Sequence, residues 1–182
     1  MAKKRILPLL LTALLLAACC ACGGPSTQDM ADQEEVTNRT WKTDAYTLAL
    51  PGGFAAQKGE GDAVTLTLDG QAVGGVQVVP YPDAAGLLDT LGNASEDSRD
   101  RGKELMRQLS PEERLAYMMT VSEDGTCLEI SCSPDTPDAT PEEEILHYLF
   151  PQGDQFYDLY FQPSQVPQDQ QILLVEGFAL NP

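Results

Sequence analysis

The chain has 182 residues, with 11 Lys and Arg against 28 Asp and Glu, a formal net charge of −17 and 42% hydrophobic residues. That length suits one domain with a real core and is short for two. So acidic a chain excludes nucleic acid as a partner, because phosphates are held by Lys and Arg, and it offers no polybasic patch to grip anionic lipid.

Lys3, Lys4 and Arg5 form a positive start, and 6–18 is an almost wholly apolar run. The run is shorter than the roughly 20 apolar residues that span a bilayer. Charge, short apolar run and small residues before a cut are the marks of a secretory signal. Leu16-Ala17-Ala18-Cys19 resembles the lipobox of bacterial lipoproteins. In that family the cysteine thiol receives a diacylglycerol, the bond before it is cut, and the new amino terminus is often acylated, for example with palmitate. The resemblance implies a signal peptide over 1–18 and lipidated Cys19 as the first mature residue. It also implies attachment to the outer face of the bacterial cytoplasmic membrane. Two or more acyl chains give firm anchoring. The alternatives are cleavage before Cys22, or an ordinary secreted protein with a cysteine near the cut. The mature chain would keep eight basic residues against 28 acidic, a net charge near −20. Such a charge favours solubility and attracts cations or basic partners.

Residues 19–40 read as the lipidated cysteine and a flexible tether, polar and acidic with hardly an apolar residue. About 20 such residues hold a domain roughly 25 Å from a membrane. A single domain over 41–182 follows. Tyr46-Thr-Leu-Ala-Leu50 alternates as a strand, and Pro51-Gly52-Gly53 ends it. In Ala63-Val-Thr-Leu-Thr-Leu68, Val64, Leu66 and Leu68 face one way. Asp69-Gly70 is a hairpin signal, and the return strand runs from Gln71 to Val79 with Gly74-Gly75 as a bulge. Tyr81-Pro82-Asp83 turns out of the sheet, and Asp83 opens a short helix through Leu91. Asp97 to Leu109 reads as a helix despite Gly102. Ser110-Pro111-Glu112-Glu113 is a capping box that predicts a further helix through about Met119. Thr120 to Cys132, centred on Asp124-Gly125, reads as a hairpin. Ser133 to Thr140 is a Pro/Asp loop, and Thr140-Pro-Glu-Glu143 repeats the capping signal. Ile145 to Phe150 is a strand, and Gln152-Gly153-Asp154 is a turn. Phe156 to Phe161 is a strand aromatic on both faces, hence central in a sheet. Pro167 opens a last helix with Ile172, Leu173 and Val175 apolar; Gly177 ends it, and Phe178-Ala-Leu180 is a final extended piece. The expected fold is α+β, an antiparallel sheet of about five to seven strands with a few helices packed on it.

Of the five cysteines, Cys127 and Cys132 would lie roughly 17 Å apart along one strand, beyond the about 7 Å that a disulfide allows between Cα atoms. They read as buried thiols rather than as metal ligands with the single histidine, His147. The spacing leaves the pairing of Cys20, Cys22, Cys127 and Cys132 open. His147 reads as a hydrogen-bonded structural residue, since no nucleophile motif accompanies it. There is no Gly-rich phosphate loop, no His-Glu-x-x-His and no calcium loop motif, although the acidic loop at 135–144 could hold calcium loosely. No catalytic residues, cofactor or metal are therefore expected. Aromatics cluster over 148–161, and tyrosines have polar tips. Tyr148 and Tyr160, with Asn93, Ser95 and Asp158, are the candidate binding residues.

Gly74-Gly-Val-Gln-Val-Val-Pro-Tyr-Pro-Asp83 and 87–95 resemble a domain common in Firmicutes envelope proteins. So do 145–150, 157–161 and the closing Gly177-Phe-Ala-Leu180. The domain occurs in lipoproteins and on membrane regulators of the beta-lactam-sensing metallopeptidase type. The chain departs from it between Glu96 and Thr120, and Ala94 stands where that domain has a histidine. A weaker resemblance is to the PsbP/Mog1-like fold. The resemblance implies an extracytoplasmic binding or sensor module whose partner is an envelope protein or small ligand. The alternatives are an envelope hydrolase of unrecognised type and a passive structural lipoprotein.

Overall fold

The structure is a computed structural model that describes residues 39–91, 96–110 and 115–182. These residues form two antiparallel sheets. Strands β1 (Arg39–Lys42), β2 (Tyr46–Leu50) and β10 (Phe178–Leu180) make the smaller, in the order β1-β2-β10. The larger has seven strands: β3 (Phe54–Lys58), β4 (Val64–Leu68), β5 (Gln71–Pro80), β6 (Leu115–Val121), β7 (Leu128–Pro134), β8 (Ile145–Gln152) and β9 (Gln155–Phe161). Their spatial order is β3-β4-β5-β9-β8-β7-β6. Helices α1 (Ala84–Leu91), α2 (Glu96–Leu109) and α3 (Gln168–Glu176) complete the α+β architecture. Among the described residues no helix is long and apolar enough to cross a membrane.

Alternation on the strands sorts the core into two layers. Side chains of Val79, Leu128, Ile130, Cys132, Leu149 and Phe156 meet Leu87 and Leu88 of α1 and Leu105 and Met106 of α2. On the other face Leu66, Val76, Tyr157, Leu159 and Phe161 meet Tyr46 and Leu48 of β2, Leu174 of α3 and Phe178 of β10. The seven-stranded sheet is thus covered on one face by helices and on the other by the small sheet with α3. Aromatic packing joins the two sheets: Phe178 lies 4.5 Å from Phe150 and 5.1 Å from Tyr46 between ring centroids. The Tyr46 hydroxyl also donates to the Asp62 carbonyl at 2.7 Å.

The hairpins obey their turn chemistry. Asp69 and Gly70 have φ of 51° and 82° between the paired Leu68 and Gln71, the left-handed pair that a two-residue hairpin turn needs. Gly153, at φ 63°, plays that part between Gln152 and Gln155. The bulge expected at Gly74-Gly75 falls one residue earlier: Leu66 faces Gly74 and Thr67 faces Ala72, so Val73 is the extra residue. Gly74 and Gly75 have a different purpose. A Cβ on Gly74 would sit 2.1 Å from the Tyr160 carbonyl oxygen, and one on Gly75 2.3 Å from that of Val64.

Four sequence expectations are corrected. The helix expected through Met119 is strand β6 from Leu115 on; residues 111–114 lie outside the described residues. The mostly apolar run Leu115–Val121 extends the sheet beside β7, and that tertiary pairing overrides the local capping signal. In α3, Leu174 is the fully buried residue, while Ile172 and Leu173 are each 51% exposed. Strand β3 went unread because Phe54-Ala-Ala-Gln-Lys58 lacks alternation, and its pairing with β4 creates it. Strand β1 begins at Arg39, inside the stretch read as tether. The signal, Cys19 and nearly all of the tether lie outside the described residues.

The contacts at Gly74 predict that Gly74→Ala lowers unfolding stability by about 2–3 kcal/mol, since backbone cannot swing aside as a side-chain tip can. Gly52→Ala, where nothing lies within 4 Å, should shift it by no more than about 0.5 kcal/mol. Urea denaturation of both variants checks the contrast.

Candidate functional site

Asp158 is the unexpected residue of β9, fully buried on a strand whose neighbours are aromatic or aliphatic. A buried carboxylate must be met by donors. Two neighbouring strands supply them. Gln77, directly across from Asp158 on β5, donates its Nε2 to Oδ2 at 2.7 Å. His147 on β8 lies two pairs along on the same face, and its Nδ1 sits 3.1 Å from Oδ1 and 2.9 Å from Oδ2. Tyr160 faces His147 across the β8–β9 ladder and stacks on its ring, with centroids 6.0 Å apart at 29°.

Burial opposes charge on the His147 ring. The Asp158 carboxylate outweighs that effect by its charge and its hydrogen bond, with help from the neighbouring Cys132 sulfur, and pushes the His147 pKa up to about 10. At neutral pH the site therefore holds an imidazolium against a carboxylate. Tyr160 is held in its neutral phenol form by burial and by the Asp158 charge, both raising its pKa.

Cys132 on β7 shares the His147 face, and its thiol donates to the Ile145 carbonyl at 3.7 Å. A cleft of about 240 Å³ opens beside these groups, where the end of α2 meets β7 and β8. Gln77, Ser110, Cys132, Ser133, His147 and Tyr160 are among its lining residues. Thiol, imidazole and carboxylate thus share one sheet face, and the thiol and imidazole border a cleft. Cys132 is paired with Tyr117 on one side and Ile145 on the other, so its own backbone N–H belongs to a ladder. An acyl-transfer site ordinarily aims such an N–H at the developing oxyanion. The arrangement suits hydrogen bonding and charge recognition better than acyl transfer.

The candidate residues divide. Tyr160 lines the cleft with His147, and Asp158 lies buried behind, bonded to His147. Tyr148 points to the opposite face, where it stacks on Phe161 at 5.8 Å, because neighbouring residues of a strand alternate in direction. Asn93, Ser95 and Cys19 lie outside the described residues. Gln77 and Cys132 joined the site without being singled out as binding residues. Cys127 precedes β7 rather than lying in it, and it packs in the other core layer from Cys132; both thiols are buried and free. Burial pushes the Cys127 thiol pKa up. Among the described residues, no group of three or more His, Cys, Asp or Glu is placed to hold a metal ion.

Breaking the pair strands a buried charge. His147→Ala should therefore cost about 3–5 kcal/mol, and the double variant His147→Leu with Asp158→Leu much less than the two single losses combined. The raised histidine pKa also sets a pH window. The stabilisation is complete below the unfolded value of 6.5 and is lost as pH rises toward about 10. Denaturation midpoints should fall steadily across that interval in the native chain, and His147→Gln should flatten the profile there.

No protein-family model matches the chain, and no curated protein matches it. In solved structures the chain is similar to cyanobacterial PsbP (CyanoP) from Synechocystis sp. PCC 6803, at 13% identity and a TM-score of 0.45. The match covers 88% of this chain and 98% of that one. A likeness of that size carries no argument about function.

Proposed function

We propose that this chain is a lipid-anchored extracytoplasmic lipoprotein whose domain is a binding module. It holds a small polar ligand, or a side chain of an envelope protein, in the cleft beside His147. The observation that carries the binding role is the buried His147–Asp158 pair bordering that cleft. Burying two charges costs several kcal/mol of solvation that apolar residues would avoid. A few fixed polar groups at the rim of a concave site are what ligand orientation requires. The anchor rests on Lys3-Lys4-Arg5, the apolar run and Leu16-Ala17-Ala18-Cys19.

Cys19→Ala should abolish labelling by radioactive palmitate and release the protein or leave its signal uncut. Retention on the membrane with a mature amino terminus at Cys22 would show that the wrong cysteine had been chosen. For the cleft, a panel of small polar compounds is screened against the mature chain by ligand-observed NMR. Binders should be lost when Ser133→Trp fills the cleft; binding that survives the filling puts the ligand elsewhere.

The second reading, favoured by Cys132 beside His147, is a thiol-dependent envelope hydrolase. It requires iodoacetamide to modify Cys132 far faster than Cys127, and His147→Gln to slow that reaction. Equal, slow labelling of both thiols rejects it.

A further inference from the structure

Strand β6 is an outer strand without the usual protections. Among the described residues no strand pairs with its outward edge. It runs in unbroken register with β7 from Leu115 to Val121, so no bulge turns it aside. It contains no charged residue and no proline, the features that ordinarily stop a sheet edge from recruiting another chain. The opposite edge, β3, ends on Lys58. Met118 is 68% exposed and Tyr117 42%, and Ala116 and Thr120 are exposed as well. Exposed apolar side chains on both faces, Met118 on one and Tyr117 on the other, thus accompany a backbone edge that is unpaired among the described residues.

The surroundings specify the charge of what would pair there. Exposed Glu123 and Asp124 follow the strand, and Glu112 and Glu113 precede it in the chain. Hydrogen bonds from Ser122 and Thr126 hold the Asp124 carboxyl below its ordinary range, so it stays ionised. Copies of net charge −17 repel one another, which opposes the pairing of β6 with a second copy.

We propose that β6 accepts an extended segment of another protein, flanked by Lys or Arg, as an eighth strand of the large sheet. Main-chain hydrogen bonds to the β6 edge provide the pairing, Met118 and Tyr117 provide apolar contact, and exposed Glu123 and Asp124 with the acidic surface favour basic flanks. The surface lies on the sheet edge and does not depend on the His147 cleft, so either reading can fail without the other.

The test uses the mature chain and three fluorescent peptides with one alternating Val/Thr core. The first is flanked by lysines, the second by glutamates, and the third is lysine-flanked with a central proline. Anisotropy reads binding, and hydrogen–deuterium exchange reads the amides of residues 115–121. The lysine-flanked peptide should bind and slow exchange in β6. The glutamate-flanked peptide should bind about tenfold or more weakly, as like-charge juxtaposition requires, and the proline peptide should not bind. Met118→Lys, on an exposed side chain, should weaken binding about tenfold while leaving the thermal midpoint in place. The proposal is overturned by β6 exchange that no peptide slows, or by equal binding of both charge variants. Concentration-dependent dimers whose β6 amides are protected without peptide also overturn it, in favour of a second copy.

Discussion

The pairing of β9 with β5 on one side and β8 on the other, with both of its faces covered, constrains the strands around it. Phe156, Asp158 and Tyr160 point toward the helices, and Tyr157, Leu159 and Phe161 toward the small sheet. A strand this enclosed leaves no room for misfit. Gly74 and Gly75 on β5 exist at the close approach of the β9 and β4 backbones, where any Cβ would collide. The same enclosure explains why one carboxylate on β9 organises its neighbours. With no water to solvate it, Asp158 must be met by Gln77 and His147, and the strand register is the only means of delivering both.

The energetic consequence is a polar pair embedded between two apolar layers. Breaking it is costly, whereas replacing both partners by apolar groups need not be. Stability alone therefore gives a weak account of why the pair is present. Its position at the border of the cleft supplies a better one, because an imidazolium fixed by a carboxylate presents a donor of constant charge across neutral pH. The two thiols of the domain lie in different layers, Cys127 toward the small sheet and Cys132 toward the helices. Only Cys132 borders the polar group.

Charge is distributed with a similar division. The chain is strongly acidic as a whole, yet strand β6 is neutral from end to end and carries the exposed Met118 and Tyr117. Repulsion between acidic copies substitutes there for the lysines and prolines that usually guard an edge. Such repulsion leaves the edge open to an oppositely charged chain.

Much of the fold was legible in sequence because its signals are local. Alternation marked β2 and β4, aromatic content marked β9, and Asp69-Gly70 and Gly153-Asp154 marked tight hairpins, the first with β5 as its return strand. The second turn even sets the β8–β9 register, which places His147 opposite Tyr160 and two pairs from Asp158, on the same face. That part of the site followed from turn length alone. Tyr148 could have been set aside by the same register, since it alternates away from His147. Gln77 and Cys132 were beyond such reasoning. The β5–β9 pairing joins segments some 80 residues apart, and β7–β8 closes over a long loop, so no turn dictates either register. Strands β3 and β6 show the same limit: Phe54–Lys58 has little pattern of its own, and Leu115–Val121 follows a helix-start signal. Sequence by itself determined the acidic balance, the lipobox-like start and the hairpins, because each depends on residues adjacent in the chain. Tertiary structure decided which distant strands became neighbours, and thereby assembled Gln77, Cys132, His147 and Asp158 on one face and left β6 at the edge, because long-range register is settled only when both sheet faces are buried together.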